Sequence, residues 1–502
     1  MDRRTIWCGT SHGSQADARH GASGARGTAG QRAYAARTSI RVACAAARAR
    51  GPGRLAGSTH DLERTRGLRR PSQPAAGAVR EKLRAVQGSR ARLLSSSQFE
   101  VIRDPLWNNI RLEPQALAVL DTPAVQRLRY VRQLGHAFLV YPGATHTRFE
   151  HALGAYHLAR RVVAELGDAD SEEGLALRLA ALLHDIGHYP FSHALEEAGL
   201  PHHETLAARH LGSGALAAAL DNLGIPTERL LALIQGTSAA RLAGLVSGSI
   251  DVDKLDYLSR DAMMCGVPYG VIDVDRLLTS LTVSAEGVAL HPKGLAALES
   301  LLFAKYQMYR NVYWHHAVRS ATAMFKRLVR RAIAARRLKP EDIAVATDDA
   351  LIHELQQHDQ TGLARALRER RLAKRALDIP ATDLPPDTSD WPSRDPDLLE
   401  RVEERLAREL GLHTDQLFLD FPSKPDMLDV AVPVVGRSGS AGEHLGLARV
   451  ATELHRSARA LRVFVLEPAQ VPAQPVMELV MLPREEAAAR LVSGGAILRG
   501  GT

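Results

Sequence analysis

Residues 175–188 read Leu-Ala-Leu-Arg-Leu-Ala-Ala-Leu-Leu-His-Asp-Ile-Gly-His, a strongly apolar run that ends in polar side chains. The run predicts a buried helix over 175–187. His184 and Asp185 at its end are costly to bury unless they pair with each other or bind a metal. A simple pair stabilised by the helix dipole is the structural alternative. A functional site is favoured by four histidines that follow: His188, His193, His202 and His203.

A second helix is predicted to begin after Thr147 and to end near Gly167. Thr147 and Glu150 have the spacing of a capping box, in which each side chain bonds to the backbone of the other residue. Arg148 then lies in the first turn and His151 one turn into the helix. A guanidinium at a helix N-terminus suits an anion such as phosphate. Taken singly, Arg148 is also compatible with a surface position and His151 with a packed histidine.

Residues 249–261, Ser-Ile-Asp-Val-Asp-Lys-Leu-Asp-Tyr-Leu-Ser-Arg-Asp, predict a third helix with Ser249 as its cap. Asp253, Tyr257 and Asp261 follow at four-residue steps and therefore share one face. Lys254 lies beside them. A face that mixes acids with a cation suits a metal together with a polyphosphate. The alternative is that acids in the first turn only complement the helix dipole.

His193 and Glu196 lie three residues apart on a further predicted helix after Pro190. A carboxylate at this distance orients an imidazole and raises its pKa, as a general acid near neutral pH requires. The alternative is an ordinary surface pair of a histidine and a glutamate.

Two imidazoles and two carboxylates are the candidate metal ligands: His151, His184, Asp185 and Asp253. This donor set suits one octahedral divalent ion per active site and is compatible with Mn²⁺, Fe²⁺, Co²⁺, Ni²⁺, Zn²⁺ or Mg²⁺. No cysteine belongs to it, which argues against a structural zinc site.

The composition describes a soluble chain of 502 residues, long enough for two or three domains. Hydrophobic residues make up 45% and the mean hydropathy is −0.15. No apolar run reaches the ~18 residues of a membrane span, so no membrane association is expected. The three cysteines are too few for a disulfide scaffold, and a reducing, cytoplasmic location is expected.

The net charge of +8 comes from the N-terminal part of the chain. Residues 1–100 contain 18 Arg and 1 Lys against 6 acids, a net charge of +13 that leaves −5 for the rest. The Arg, Ala, Gly and Ser composition of residues 1–98 predicts a disordered leader. It is compatible with a spurious extension, a targeting peptide or a tail that binds nucleic acid. Nucleic acid is therefore expected as a partner only through this leader.

The remaining chain predicts three further parts. Residues 99–337 are helical nearly throughout. Residues 338–397 contain a charged stretch, 368–375, predicted as a solvated helix, and a Pro- and Asp-rich linker, 383–396. Residues 398–502 predict a small α/β appendage with a helix at 398–410 and strands at 427–435 and 462–466.

The four candidate ligands, in this order, resemble the pattern of the HD-domain metal-dependent phosphohydrolases. Four longer motifs resemble the deoxynucleoside triphosphate triphosphohydrolase (dNTPase) branch of that family. They are Asp-Thr-Pro-Ala-Val-Gln-Arg-Leu-Arg-Tyr-Val-Arg-Gln-Leu-Gly from 121, Pro-Gly-Ala-Thr-His-Thr-Arg-Phe-Glu-His from 142, His-Asp-Ile-Gly-His-Tyr-Pro-Phe-Ser-His from 184 and Asp-Val-Asp-Lys-Leu-Asp-Tyr-Leu-Ser-Arg-Asp from 251. The resemblance covers about residues 100–335 and implies a mainly α fold, an HD-domain helical bundle.

The resemblance also implies roles for individual residues. The metal would be held by His151, His184, Asp185 and Asp253. The phosphates would be bound by Arg148, Lys254, Tyr257 and Lys305, the last standing where the family has an arginine. The reacting phosphate would be lined by His188, His193 and His203, with Glu196 orienting His193. Gln133 and Asp261 would bind the sugar 3′-hydroxyl, while Leu134 and Tyr313 would crowd the 2′ position and favour deoxyribose.

An activating nucleotide such as GTP, dGTP or another dNTP is implied by the stretch containing Asp121, Gln126 and Arg129. That site lies between subunits in the vertebrate relative, so a homo-oligomer, a dimer or tetramer, is expected. Arg103 stands here where that site has an asparagine, which weakens the transfer.

Attack at the α-phosphorus would release deoxynucleoside and tripolyphosphate, with additional Mg²⁺ accompanying the nucleotide. Stepwise loss of phosphate is also compatible with the sequence, and two further alternatives stay open. One is another HD-type reaction on a nucleoside monophosphate, a cyclic nucleotide or a guanosine polyphosphate alarmone. The other is an HD module that binds nucleotide or nucleic acid without turnover.

Overall fold

The computed structural model describes residues 99–422, 428, 430–446, 448–493 and 495–498. The predicted disorder of residues 1–98 concerns a segment outside the described residues. The first elements after it are a hairpin and two short helices. They are β1 (Glu100–Asp104), β2 (Asn108–Leu112), α1 (Pro114–Leu120) and α2 (Pro123–Gln126). Ile110 and Leu112 are buried and attach the antiparallel hairpin to the helical core.

The centre of the molecule is a bundle of helices. Its elements are α3 (Arg148–Glu165), α4 (Glu172–Leu183), α5 (His203–Leu211), α6 (Gly214–Asn222), α7 (Thr227–Ile234), α8 (Val252–Cys265) and α9 (Val274–Leu278). Helix α3 packs against both α4 and α8, which brings three distant segments of the sequence together. Nearly every residue of α4 from Gly174 to Leu183 is buried, as its apolar run predicts.

Local sequence explains where these helices begin and end. Thr147 and Glu150 form the predicted capping box. The prediction that α4 continues to residue 187 is wrong, because the helix ends at Leu183 and turns begin at His184. Ser249 is not the cap of α8. Asp251 takes that place, since its carboxylate accepts the backbone N–H of Lys254 and satisfies a donor of the first turn.

A second layer of structure follows the bundle. It contains β3 (Leu281–Ser284), β4 (Gly287–Leu290), α10 (Leu295–Met308), a π-helical segment (Tyr309–Tyr313), α11 (His316–Ala334), α12 (Pro340–Ile343), α13 (Asp348–His358) and α14 (Leu363–Arg368). The long helix α11 packs on one side against residues 135–139, beside the bundle, and on the other against the C-terminal sheet.

The C-terminal part is a small α/β assembly. Its elements are β5 (Lys374–Pro380), α15 (Trp391–Arg394), α16 (Pro396–Glu409), β6 (Leu417–Asp420), α17 (Ala441–His444), α18 (Ala448–Ala458), β7 (Ala460–Val465), α19 (Ala473–Met481) and α20 (Arg484–Val492). The strands form an antiparallel sheet in the order β5-β7-β6. The predicted helix at 398–410 and strand at 462–466 are confirmed by α16 and β7.

The solvated helix predicted over 368–375 is wrong. Helix α14 ends at Arg368, and strand β5 begins at Lys374 and pairs with β7. Pairing with a partner 80 or more residues away overrides the helical propensity of Arg, Glu and Ala. The predicted linker at 383–396 contains the buried Trp391 and the short helix α15, so it is part of the C-terminal core.

The strand predicted at 427–435 is not seen in its described part. Residues 423–427 and 429 lie outside the described residues, and 430–435 make only isolated bridges, to Leu290 and Ser440. Pro433 has no backbone N–H and cannot extend a ladder of strand hydrogen bonds.

The mainly α fold with a small α/β C-terminal appendage is confirmed, while the exact domain boundaries stay predictions. Within the described ranges, no helix is both long enough and apolar enough to cross a bilayer.

Candidate metal centre and active site

Three predicted ligands from three helices meet at one point. His151 Nε2, on α3, lies 3.1 Å from Nε2 of His184, at the end of α4. Oδ1 of Asp253, on α8, lies 3.0 Å from His151 Nε2 and 3.5 Å from His184 Nε2. Such mutual distances leave each atom able to reach a common ion, so these three side chains form a group that could hold a metal.

Asp185, the fourth predicted ligand, borders this group. Its Oδ2 lies 3.5 Å from His151 Nε2, and its Oδ1 lies 3.5 Å from His184 Nε2. Arg148 Nη1 donates to Oδ2 at 2.5 Å. The carboxylate therefore connects the candidate metal centre to a buried guanidinium.

The far sides of both imidazoles are fixed by hydrogen bonds. Nδ1 of His151 lies 2.8 Å from Oδ2 of Asp256, and Nδ1 of His184 lies 2.8 Å from the backbone oxygen of Ala181. An acceptor at Nδ1 keeps a proton on that nitrogen and turns the Nε2 lone pair toward the centre. Both rings are thus oriented as metal ligands require.

The charges at the centre also fit a cation. Burial opposes ionisation of Asp253, but His151 and His184 hold its pKa well below the usual range. Burial alone would lower the pKa of His151. Hydrogen bonds to Asp253 and Asp256 and the charge of Asp185 instead raise this pKa to about 10. The site therefore attracts positive charge, which a divalent ion can supply in place of protons.

A cavity of about 590 Å³ opens beside this centre. Its walls include fourteen of the predicted site residues: Gln133, Leu134, Arg148, His184, Asp185, His188, His193, His203, Asp253, Lys254, Tyr257, Asp261, Lys305 and Tyr313. His151 is completely buried behind them. One cavity thus joins the candidate metal ligands, the predicted phosphate-binding cations and the predicted sugar contacts.

Glu196 holds two of the cavity histidines at once. Its Oε2 lies 3.0 Å from Nδ1 of His193, and its Oε1 lies 2.6 Å from Nδ1 of His203. The ring of His203 stacks on that of His188, with centroids 3.7 Å apart. The predicted contact of Glu196 with His193 is seen, although the segment is a short 3-10 turn (Ser192–Ala194) and not an α-helix.

Glu196 raises the pKa of His193 as expected, but the expectation that the net pKa lies above its ordinary value is wrong. The ring faces the cavity and is accessible from it, yet the surrounding protein lowers its pKa through desolvation. Glu196 acts in the opposite direction, while Arg148 and His203 add to the lowering. The pKa of His188 is also well below its usual range, because the ring is buried and Arg148 and His203 lie near it.

The backbone before His193 is strained. Phe191 and Ser192 have φ angles of 57° and 59°, which side chains other than glycine rarely adopt. Ser192 Oγ donates to the backbone oxygens of Arg132 and Gln133, and it accepts from Nε of Arg148. Strain of this kind persists only where its surroundings hold it.

The opposite end of the cavity contains the predicted sugar contacts. Asp261 is buried, with Oδ1 2.9 Å from Nε2 of His146 and Oδ2 accepting the Tyr313 hydroxyl at 2.6 Å. Oε1 of Gln133 is buried without a hydrogen-bond partner in the described part of the chain. Gln133 and Leu134 both line the cavity wall.

Two lysines supply positive charge along the cavity wall. Lys254 Nζ donates to the backbone oxygen of Gly248 at 2.9 Å and pairs with Asp251. Burial would lower the pKa of Lys254, but Asp251 and Asp253 raise it above its ordinary value. Lys305 is buried on α10, and Tyr257 lines the same wall.

The predicted activator residues lie away from this cavity. Asp121 and Arg129 are exposed, and Gln126 accepts from Arg129 Nε at 2.7 Å. The Arg129 guanidinium covers the ring of Phe149, with 3.6 Å to the centroid. Phe149 directly follows Arg148, a residue of the cavity wall. The exposed Arg129 thus contacts the neighbour of a cavity residue.

Sequence reasoning missed several residues that support the site. Asp256 and His146 lie within the quoted motifs, and their contacts with His151 and Asp261 required the packing of α3 and α8. Asp348 accepts the backbone N–H groups of Phe191 and Arg132, and its distance along the chain left no local signal.

The HD domain family matches residues 148–261, and the HD associated region matches residues 272–471. An uncharacterized protein of Methanocaldococcus jannaschii is 36% identical over 348 residues, which cover 68% of this chain and 73% of that protein. The chain belongs to the HD-domain family. The resemblance to HD-domain phosphohydrolases inferred from the motifs is thereby confirmed.

The similarity of this HD-domain protein extends to the dNTPase branch. The deoxynucleoside triphosphate triphosphohydrolase SAMHD1 of Homo sapiens is 29% identical over 283 residues, 45% of each chain. The chain thus spans about half the length of that relative. A crystal structure of a hypothetical protein from Aquifex aeolicus has a TM-score of 0.61 at 29% identity and covers 73% of this chain and 96% of that one.

Proposed function

We propose that this HD-domain protein hydrolyses deoxynucleoside triphosphates to deoxynucleoside and tripolyphosphate. The observation that carries the proposal is the composition of the cavity beside the candidate metal centre. Its lining includes three candidate metal ligands, three cations, three further histidines and the side chains of Gln133 and Asp261. Similarity to deoxynucleoside triphosphate triphosphohydrolases supports the same substrate class.

His151, His184, Asp185 and Asp253 would hold one divalent ion. When bound, such an ion lowers the pKa of water and neutralises phosphate charge. The donor set is compatible with Mn²⁺, Fe²⁺, Co²⁺, Ni²⁺, Zn²⁺ and Mg²⁺. Metal analysis of the purified protein would identify the ion. Additional Mg²⁺ would enter with the nucleotide.

The chain's own cations would bind the triphosphate. Arg148 offers a guanidinium already oriented by Asp185 and Ser192, and Lys254 and Lys305 add charge along the wall. Stabilisation that grows as charge develops on the phosphate oxygens accelerates the reaction. Tyr257 would contribute a hydroxyl to the same region.

His193 would act as the general acid. Attack of water at the α-phosphorus breaks the bond to the 5′ oxygen, and the proton of His193 goes to that oxygen. Glu196 orients the ring and attracts the proton. The negative charge of a bound triphosphate opposes the lowering of the His193 pKa in the free cavity. His188 and His203 would line the reacting phosphate.

The sugar would lie between Gln133 and Asp261, which would bind its 3′-hydroxyl. Leu134 and Tyr313 would crowd the 2′ position, so a deoxyribose is preferred. Activation by GTP, dGTP or another dNTP at Asp121, Gln126 and Arg129, and assembly into a homo-oligomer, belong to the same proposal.

The test is product analysis on metal-stripped full-length protein. Each dNTP and rNTP is supplied with single divalent metals, with and without GTP, and tripolyphosphate is quantified. We expect tripolyphosphate from dNTPs only after a metal is restored. Orthophosphate or monophosphate products, or equal turnover of rNTPs, would contradict the proposal. Light scattering with and without GTP tests the oligomer.

A matched pair of variants tests the metal centre. His184→Ala removes a candidate ligand, whereas His353→Ala changes an exposed histidine on α13. We expect the first variant to lose its metal and its turnover and the second to retain both. Unchanged turnover in His184→Ala would refute the assignment of the metal ligands.

A further inference from the structure

The N-terminal hairpin reaches the residue that orients His151. Asp256 is completely buried, and its two oxygens accept four hydrogen bonds. His151 Nδ1 and Arg260 Nε lie at Oδ2, at 2.8 and 2.9 Å. Trp107 Nε1 and Arg260 Nη2 lie at Oδ1, at 2.5 and 2.9 Å. Trp107 comes from the turn of the β1–β2 hairpin, which lies outside the residues matched by the HD families.

The hairpin also supplies the counter-charge of Arg260. Arg260 has no exposed surface, and its Nη1 donates to Oδ2 of Asp104 at 2.8 Å. Asp104 is itself held in place, because its Oδ1 accepts the backbone N–H groups of Leu106 and Trp107 at 2.9 and 2.7 Å. Two carboxylates and one guanidinium leave this buried network one negative charge in excess. That charge favours a cation on the far side of His151.

Helix α3 is adapted to this network. Gly154 lies one turn after His151, and a Cβ atom there would fall 1.8 Å from Asp256 Oδ1 and 2.5 Å from Arg260 Nη2. Glycine inside a helix costs about 1 kcal/mol relative to alanine. The missing side chain leaves the space that the Asp256 carboxylate occupies.

We propose that the hairpin is part of the metal centre, with Asp104 and Trp107 as positioning residues that fix Asp256 and, through it, His151. The inference rests on the proposed metal site. The β1–β2 hairpin, which lies outside the HD-domain match, thereby has a role in metal affinity. Nothing in the hairpin would touch the substrate.

The test measures metal affinity directly. Metal-stripped full-length protein is titrated with Mn²⁺, and the free ion is followed by electron paramagnetic resonance. We expect Asp256→Asn to weaken Mn²⁺ binding about 10–100-fold, the usual effect of losing a carboxylate behind a histidine ligand. Asp104→Asn and Trp107→Phe should weaken it in the same direction by about 3–10-fold. Arg111→Gln, an exposed position of the same hairpin, is the matched control and should bind as wild type does.

The outcomes separate the inference from the proposed function. If wild type binds one Mn²⁺ but Asp104→Asn and Trp107→Phe bind it as tightly as Arg111→Gln does, the hairpin has no such role. If wild type binds no Mn²⁺ stoichiometrically, the metal centre itself fails and the inference fails with it. Should Asp104→Asn not fold, Trp107→Phe decides, because it retains both charges and most of the ring packing.

Gly154→Ala is an independent test of the same network, made from helix α3. Helix propensity alone predicts a more stable protein, by about 1 kcal/mol. Displacement of Asp256 predicts weaker Mn²⁺ binding and a lower melting temperature. A stabilised variant with unchanged Mn²⁺ affinity would overturn the proposed arrangement.

Discussion

The backbone N–H of Phe191 donates a hydrogen bond of 2.8 Å to Oδ1 of Asp348, a residue 157 positions farther along the chain. Oδ2 of the same carboxylate accepts the backbone N–H of Arg132 at 3.0 Å. One buried side chain of the HD associated region thus ties the strained turn before His193 to Arg132, the residue before Gln133. The segments around Gly135 and Phe191 approach each other closely, since a Cβ atom at Gly135 would lie 2.9 Å from the backbone oxygen of Phe191.

Asp348→Ala should therefore reduce catalysis more than substrate binding. Loss of the acceptor leaves buried N–H groups unpaired, which costs about 1–3 kcal/mol of stability. Misplacement of His193 should lower kcat about 10–100-fold with little change in KM. Asp349→Ala, an exposed neighbour, is the control. A melting temperature that falls while kcat per folded protein stays unchanged would limit Asp348 to a structural role.

Glu196→Gln should move the alkaline limb of the kcat profile to lower pH. The Glu196 charge opposes the other influences that lower the pKa of His193, so its removal lowers that pKa further. A general acid is active only while protonated, and a lower pKa therefore ends its activity at lower pH. We expect a displacement of about one pH unit. Glu196→Asp keeps the charge, so the alkaline limb of its kcat profile should lie close to that of wild type. An unshifted limb in Glu196→Gln would contradict the role of His193.

Tyr313 variants should separate crowding at the sugar from hydrogen bonding. Tyr313→Ala opens the wall, and turnover of rNTPs relative to dNTPs should rise about 10-fold. Tyr313→Phe keeps the ring and loses only the bond to Asp261, so its sugar preference should remain close to that of wild type. Competition between dGTP and GTP as substrates measures the ratio. Equal ratios in all three proteins would exclude Tyr313 as the source of selectivity.

His136 should make the folded protein sensitive to mild acid. Burial, with Arg132 nearby, lowers the pKa of His136 from 6.5 to about 3. As the pH falls below 6.5 the unfolded chain binds a proton that the folded chain does not, so stability present above pH 6.5 is lost toward pH 3. Between pH 6.5 and 5.0 the loss is about 2 kcal/mol.

His136→Phe should remove this component of the pH dependence. The ring of His136 stacks on Phe191, with centroids 4.4 Å apart and planes 6° apart, and phenylalanine preserves that contact without a titrating group. Urea unfolding of the metal-free proteins at pH 7.5 and 5.0 measures the difference. Equal losses of stability in the variant and wild type would show that His136 does not contribute.

Local sequence was sufficient where a few neighbouring residues decide the outcome. The capping box of Thr147 and Glu150 fixed the start of α3, and the apolar run before His184 fixed α4 as a buried helix. The four-residue spacing of Asp253, Tyr257 and Asp261 placed all three on the cavity side of α8. Side chains on one helix face keep their relation wherever the helix packs.

Tertiary packing decided what depends on partners distant in sequence. Strand β5 begins at Lys374, inside the helix predicted over 368–375, because β7 supplies its hydrogen bonds. The sequence predicts a raised pKa for His193. In the folded chain the pKa is lowered instead, because the cavity desolvates the ring. The contacts of Asp104 with Arg260 and of Asp348 with Phe191 span 156 and 157 residues. A sequence specifies which groups require partners, whereas only the folded chain determines which partners lie within hydrogen-bond distance.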